Sequence, residues 1–246
     1  MKFDYHIHTE DSYDSSIKAV DLINRAIQLN YNEIAITEHL DLLPLEIKNY
    51  GAPSLDHYYK RIKELQSNTS KINVLCGIEI GDYQRVKEYA LSLVEDIQLD
   101  IILGSVHFLS DNTNVAVPLK KPLTKEQVRN YYLQNLALVS RCNIDVLAHL
   151  GVYKRGYHYI PDESIFYPLI KDILATMIDR NIALEINYSS LRRGYPTFIP
   201  EIPILEMYLD LGGRSFSLGS DAHQIEHFDL YRELVPAKFC TSFRYL

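Results

Sequence analysis

Apolar and polar positions along the chain alternate between two regimes. Seven short runs rich in Val, Ile, Leu and aromatic residues lie at 3–7, 33–37, 73–80, 101–106, 145–148, 182–186 and 215–218. Each has the length and composition of a buried strand. Between them the apolar residues recur every three or four positions, as one face of a helix requires. Ile17, Val20, Leu22, Ile23, Ala26 and Ile27 form one such stripe, and Tyr58, Ile62 and Leu65 another. Further helices are expected at 86–94, 125–140, 165–179 and 203–211, with Asp82, Thr124 and Asp162 as caps just before three of them.

Strand alternating with helix, seven times, argues for parallel strands joined by right-handed crossovers. Seven such units in 246 residues fit one α/β domain over 1–246, closed as a TIM-like barrel, better than two separate domains. An open doubly wound sheet is disfavoured, because no Gly-rich phosphate loop follows the first strand. No Ser/Gly/Pro-rich linker divides the pattern. Long irregular stretches are expected after strands four, five and six, at 108–123, 150–161 and 187–200. In barrels the loops after the strands build the active-site face.

Composition narrows the function classes. The chain has 25 basic and 32 acidic residues, a net charge of -7, and no basic run longer than Lys120-Lys121 or Arg192-Arg193. Such a surface repels nucleic acid, which is therefore not an expected partner. No window approaches the ~20 apolar residues of a membrane span, and the opening MKFDYHIH does not read as a leader. Cys76, Cys142 and Cys240 are scattered and odd in number, which points to a reducing cytoplasm. Monomer and homo-oligomer both fit.

The nine histidines change the picture, because six of them stand at the ends of strand-like runs. Strand one ends in Asp4-Tyr5-His6-Ile7-His8, strand two in Glu38-His39, strand three in Glu79 and strand four in His107. Strand five ends in His149, strand six in Asn187, and strand seven in Asp221-Ala222-His223. In a barrel these termini converge on one face. A single histidine there is more often a satisfied polar residue than a ligand. A convergent set of imidazoles and carboxylates, however, would be desolvated together unless a metal ion supplied the opposite charge. Residues two apart in a strand share a side, so Asp4, His6 and His8 line one face, with Asp4 able to orient an imidazole. Asp14, in the loop after strand one, either reaches a neighbouring ion or caps the turn before Ser15-Ser16.

The ordered motifs Asp4-x-His6-x-His8-Thr9, Thr37-Glu38-His39, Gly77-Ile78-Glu79, Gly104-Ser105-Val106-His107-Phe108, Ala148-His149 and Gly219-Ser220-Asp221-Ala222-His223 resemble the polymerase-and-histidinol-phosphatase (PHP) superfamily. Ser105-Val106-His107-Phe108, Leu184-Glu185-Ile186-Asn187 and the arginines that follow look most like its monofunctional L-histidinol-phosphate phosphatases. The resemblance implies a distorted (β/α)7 barrel and two or three divalent Zn, Mn or Fe ions. By motif, His6, His8, Glu79 and Asp221 would hold one ion and Glu79, His107 and His149 a second, with Glu79 bridging. Asp14, His39 and His223 would hold the third.

A small phosphate monoester, L-histidinol phosphate first, would be cleaved by hydroxide shared between the first two ions. Arg155 and Arg192 are expected as phosphate clamps, with Arg193 a near-equal rival of Arg192. Asp221 and His39 are the candidates for protonating the leaving oxygen, and Asp111 for pairing with the histidinol imidazole or amine. His57 and His227 match no metal motif, nor does His158, which is placed to touch substrate. Protein-tyrosine phosphatase and nuclease-type relatives share the metal motifs and remain alternatives. A non-catalytic metal-binding module is less favoured, since all nine expected ligand positions hold His, Asp or Glu.

Overall fold

The computed structural model describes residues 1–43 and 53–245. Seven parallel strands follow one another around the sheet in chain order. They are β1 (Phe3–Asp4), β2 (Glu33–Asp41), β3 (Asn73–Gly81), β4 (Ile101–Ser105), β5 (Val146–Leu147), β6 (Ala183–Asn187) and β7 (Phe216–Gly219). The chain after β1 returns to β7: the Tyr5 amide donates to the Leu218 carbonyl at 2.9 Å, and Ile7 and Ala222 form a parallel bridge. The result is a nearly closed, distorted (β/α)7 barrel. The distortion lies in its uneven ladders, since β2 and β3 pair over nine residues whereas β1 and β5 supply two each.

Among the described residues seven α-helices accompany the strands: α1 (Ala19–Gln28), α2 (Leu55–Asn68), α3 (Lys87–Val94), α4 (Lys125–Arg141), α5 (Tyr167–Asp179), α6 (Ser189–Arg192) and α7 (Ile202–Asp210). Every residue of β2 and β6 is buried, as expected of parallel strands covered on both faces. Helix α1 buries Ala19, Leu22, Ile23 and Ala26. Val20, expected on the same stripe, is 56% exposed, because it lies roughly a quarter-turn or more from that face.

Thr124 caps α4 in a reciprocal box with Gln127. Asp162 accepts the Ser164 amide at 2.9 Å and so heads the short turn leading into α5. Asp82 heads a 3-10 turn, Tyr83–Arg85, and not α3, and its side chain makes no capping bond: its carboxylate accepts the amides of His107 and Phe108 instead. Two stretches expected to be irregular carry short helices, a 3-10 turn at Val152–Gly156 and α6 after β6.

One end of the barrel is sealed. Buried Glu33, at the start of β2, accepts from Tyr5, Asn73 and Tyr245 and faces Arg244 at 3.3 Å. The C-terminal residues are thereby pinned across the end where the strands begin.

Near the opposite end, a buried polar network ties three segments together. The Lys154 ammonium, fully buried, donates to Glu163 at 2.5 Å and to Glu201 at 2.8 Å. Tyr132 and Tyr153 donate to Glu163, and Tyr195 to Glu201. Two carboxylates thus share one ammonium out of contact with water. Burial, and then the Glu201 charge, push the Glu163 carboxyl from 4.5 up to about 8. The folded chain therefore holds a proton that the unfolded chain releases near pH 4.5. The resulting stabilisation is complete below that pH and is lost as pH rises through about 8. The thermal midpoint is expected to fall between pH 6 and pH 9, and Glu163→Gln to flatten that slope. Scanning fluorimetry across the range decides it, and an unaltered slope in the variant would exonerate Glu163.

Candidate metal centre

The open end of the barrel gathers the strand termini. Register pairs His39 on β2 directly with Glu79 on β3, while His107 and His149 lie two residues beyond β4 and β5. His6 and His8 project from the irregular continuation of β1, and Asp221 and His223 from that of β7. All nine side chains expected to act as ligands meet here.

Glu79 is the hub. Its Oε2 lies 2.9 Å from His39 Nδ1, 3.4 Å from His6 Nε2 and 3.7 Å from His8 Nε2. Its Oε1 lies 2.9 Å from His149 Nε2 and 3.4 Å from His107 Nε2. Asp221 Oδ1 is 3.6 Å from His8 Nε2, 3.9 Å from His6 Nε2 and 3.5 Å from His223 Nδ1. Asp14 bridges His39 and His223 at 3.6 and 3.3 Å, and the Nε2 atoms of those two imidazoles are 3.2 Å apart. Asp14 is the outermost of the set, with 40% of its side chain exposed.

These separations fit a metal better than a hydrogen-bond network. Donors placed 2.0–2.2 Å from one ion stand about 3.3–3.6 Å apart in a tetrahedron. Most of the spacings around Glu79 and Asp221 fall close to that. His6 Nε2, His8 Nε2 and Glu79 Oε2 are buried and have no hydrogen-bond partner, which is costly unless something else binds them. His8 stacks between His39 and His223 at 4.0 and 4.2 Å. Burial and these neighbouring imidazoles drive the His8 pKa well below the usual range, leaving its nitrogen free to ligate. Burial alone would raise the Glu79 carboxyl, but His6 and His107 hold it well below the ordinary value.

A second layer fixes the imidazoles. Buried Glu185 contacts His6 Nδ1 at 2.7 Å and accepts the His149 amide at 2.5 Å. Asp41 contacts His107 Nδ1 at 2.9 Å. Ser12 stands 3.3 Å from His8 Nδ1, accepts the His39 amide at 3.0 Å and donates to buried Glu38. Sequence reasoning did not assign these four. Their signal was an acid inside an apolar strand or, for Ser12, a hydroxyl in the loop after β1. Asp4 does not orient an imidazole; it accepts from the Tyr188 hydroxyl at 2.7 Å and from the backbone amides of His6 and Ser220.

A cavity of about 550 Å³, its open mouth included, lies over the cluster. Arg155 and Arg193 line it, with Tyr13, Phe108, Asn114 and Val117. Arg155 donates to Asp221 Oδ2 and to Ser189 Oγ. Arg192, expected here as a phosphate clamp, is not among the lining residues. Its guanidinium is spent on the carbonyls of Ser220 and Asp221, so Arg193 takes the cavity-facing place. Asp111 does not reach the cavity either. It closes a local turn on the Thr113 amide and accepts from Gln127, in a separate groove. His158 is exposed beside Gly194, His57 is an exposed neighbour of Asp11, and His227 lies in a 3-10 turn.

The sequence model of the PHP domain matches residues 4–189, three quarters of the chain and most of this cluster. The chain belongs to the PHP domain family. It is 33% identical to a probable histidinol-phosphatase of Clostridium acetobutylicum, over 91% of this chain and 87% of that one. A probable histidinol-phosphatase of Thermotoga maritima is 30% identical over 96% and 92%. A crystal structure of histidinol phosphate phosphatase from Lactococcus lactis subsp. lactis, complexed with zinc, L-histidinol and phosphate, superposes with a TM-score of 0.77. The two share 26% identity over 98% of this chain and 95% of that one.

Proposed function

We propose that this chain, working as one domain, hydrolyses L-histidinol phosphate to L-histidinol and phosphate in a metal-dependent reaction. The observation that carries the proposal is the cluster of unpartnered imidazole and carboxylate donors beneath a cavity lined by two arginines. The similarity to histidinol-phosphatases along nearly the whole chain supports the substrate. His6, His8, Glu79 and Asp221 would hold one ion, and Glu79, His107 and His149 a second. The more exposed Asp14, with His39 and His223, would hold a third. This mixture of nitrogen and oxygen donors suits Zn, Mn or Fe. Divalent ions bound there supply Lewis acidity and lower the pKa of water to near neutrality.

The side chains do the rest. Glu79 keeps the two halves of the centre in register through its two oxygens. Arg155 and Arg193 present guanidinium forks to the phosphoryl oxygens, where negative charge is spread over several acceptors. The bond from Arg155 favours an ionised Asp221, which suits a ligand and not a proton donor. His39, assigned to the third ion, is committed to a ligand's role in the same way. The cavity admits a small ester, and the net charge of -7 disfavours nucleic acid. Among the described residues no helix is long and apolar enough to cross a membrane. The three free cysteines suit a reducing cytoplasm.

The test is phosphate release from L-histidinol phosphate, a phosphotyrosine peptide and short oligonucleotides, alongside metal content. Preference for L-histidinol phosphate is expected, lost on chelation and restored by a divalent ion. Equal or better turnover of either other substrate would overturn the assignment.

A further inference from the structure

Asp221 has φ 50°, in the left-handed region that a non-glycine residue keeps only when its surroundings hold it there. On one side the segment is restrained by its amides. Ser220 donates to the Asp4 carboxylate at 3.2 Å, and Asp221 to the His6 carbonyl at 2.8 Å. On the other side its carbonyls turn to Arg192. Nη1 donates to the Ser220 oxygen at 2.6 Å, and Nη2 to the Asp221 oxygen at 2.5 Å. A planar fork can satisfy two consecutive carbonyls at once, which a single ammonium cannot do with the same geometry. The Asp221 carbonyl also lies 3.0 Å from His223 Nδ1. A proton on Nδ1 would donate to that oxygen and leave Nε2 free toward His39 and Asp14.

We infer that Arg192 is a positioning residue. By clamping the Ser220 and Asp221 carbonyls it holds the left-handed turn that aims the Asp221 carboxylate and the His223 imidazole at the metal ions, and it does not bind the substrate phosphate. Its neighbour Arg193 has the opposite duty, because one step past the end of the short helix α6 turns that side chain to the cavity. The inference rests on the reading above that Asp221 and His223 are ligands.

Two constants separate the two duties: metal affinity, measured by competition with a chromophoric chelator and needing no activity assay, and the inhibition constant for inorganic phosphate. Arg192→Gln should weaken binding of the most loosely held ion by about 10- to 100-fold, as loss of a supporting contact to a ligand does. Once saturated with metal, the same variant should be inhibited by inorganic phosphate within about twofold of wild type. Arg193→Ala should show the reverse, with wild-type metal affinity and a raised phosphate inhibition constant. Arg192→Lys should recover only part of the lost metal affinity.

Wild-type metal affinity in Arg192→Gln, with weakened phosphate inhibition, would overturn the inference and make Arg192 a clamp. If circular dichroism shows that Arg192→Gln does not fold, Arg192→Lys decides by the same two constants. A wild-type chain that takes up no divalent ion would sink the functional reading and this inference with it. Wild-type uptake with unaltered affinity in the Arg192 variants would sink this inference alone.

Discussion

Glu79→Gln is expected to lower phosphate release from L-histidinol phosphate by about 10³-fold. Glutamine occupies the same space, so the change leaves no cavity and isolates the charge. One oxygen of Glu79 faces His6 and His8, and the other faces His107 and His149. An amide in its place removes the anion shared by both halves. It also points an N–H at imidazole nitrogens whose lone pairs are meant for ions. Loss of one preorganised electrostatic group commonly costs about 10² to 10³ in turnover, and serving two halves at once puts Glu79 at the upper end. A factor of 10³ corresponds to about 4 kcal/mol of barrier. Steady-state kinetics with saturating divalent metal give the comparison, and circular dichroism checks that the fold is kept. Turnover within tenfold of wild type would show that Glu79 is not shared between the halves.

Much of this site is visible in the sequence because strand ends obey a simple rule. Parallel strands in a barrel deliver their C-terminal residues to one face, so His6, His39, Glu79, His107, His149 and Asp221 can be grouped without knowing any contact. The seven apolar runs also locate the seven strands. Their lengths are less legible, because an apolar run reports burial and not pairing. Tyr5 to Ile7 are buried yet leave the β1 ladder to bend toward the site.

The supporting acids are harder to read. Glu38, Asp41 and Glu185 sit in or beside apolar runs, and what each one holds depends on which strand lies next to it. The Arg192–Arg193 pair fails for another reason. Adjacent residues on a helix diverge by about 100°, and α6 is too short to announce itself by periodicity. Asp111 looked functional because its loop is long, but its carboxylate is absorbed by a local turn.

Glu185→Ala should cost roughly 3–5 kcal/mol of stability. It should also weaken metal binding by about 10- to 100-fold. The Glu185 carboxylate is fully buried. It contacts His6 Nδ1 at 2.7 Å, accepts the His149 amide at 2.5 Å and accepts from Asn187 Nδ2 at 3.2 Å. Truncation leaves these donors unsatisfied, at about 1–3 kcal/mol each, and opens a cavity among them. For a chain of this size the thermal midpoint should fall by about 6–20 °C. Gly219 tests the same contact from the other side. A Cβ at that position would collide with Glu185 Oε1, so Gly219→Ala must displace the carboxylate. Both single variants should therefore lose stability and metal affinity together. With alanine at 185 the collision with the carboxylate is gone and only the approach to His6 Cβ at 2.7 Å remains, so adding Gly219→Ala should cost less than it does alone. A double-mutant cycle read by chemical denaturation should show coupling above about 1 kcal/mol, while additive losses would mean that Gly219 is needed for something other than room for Glu185.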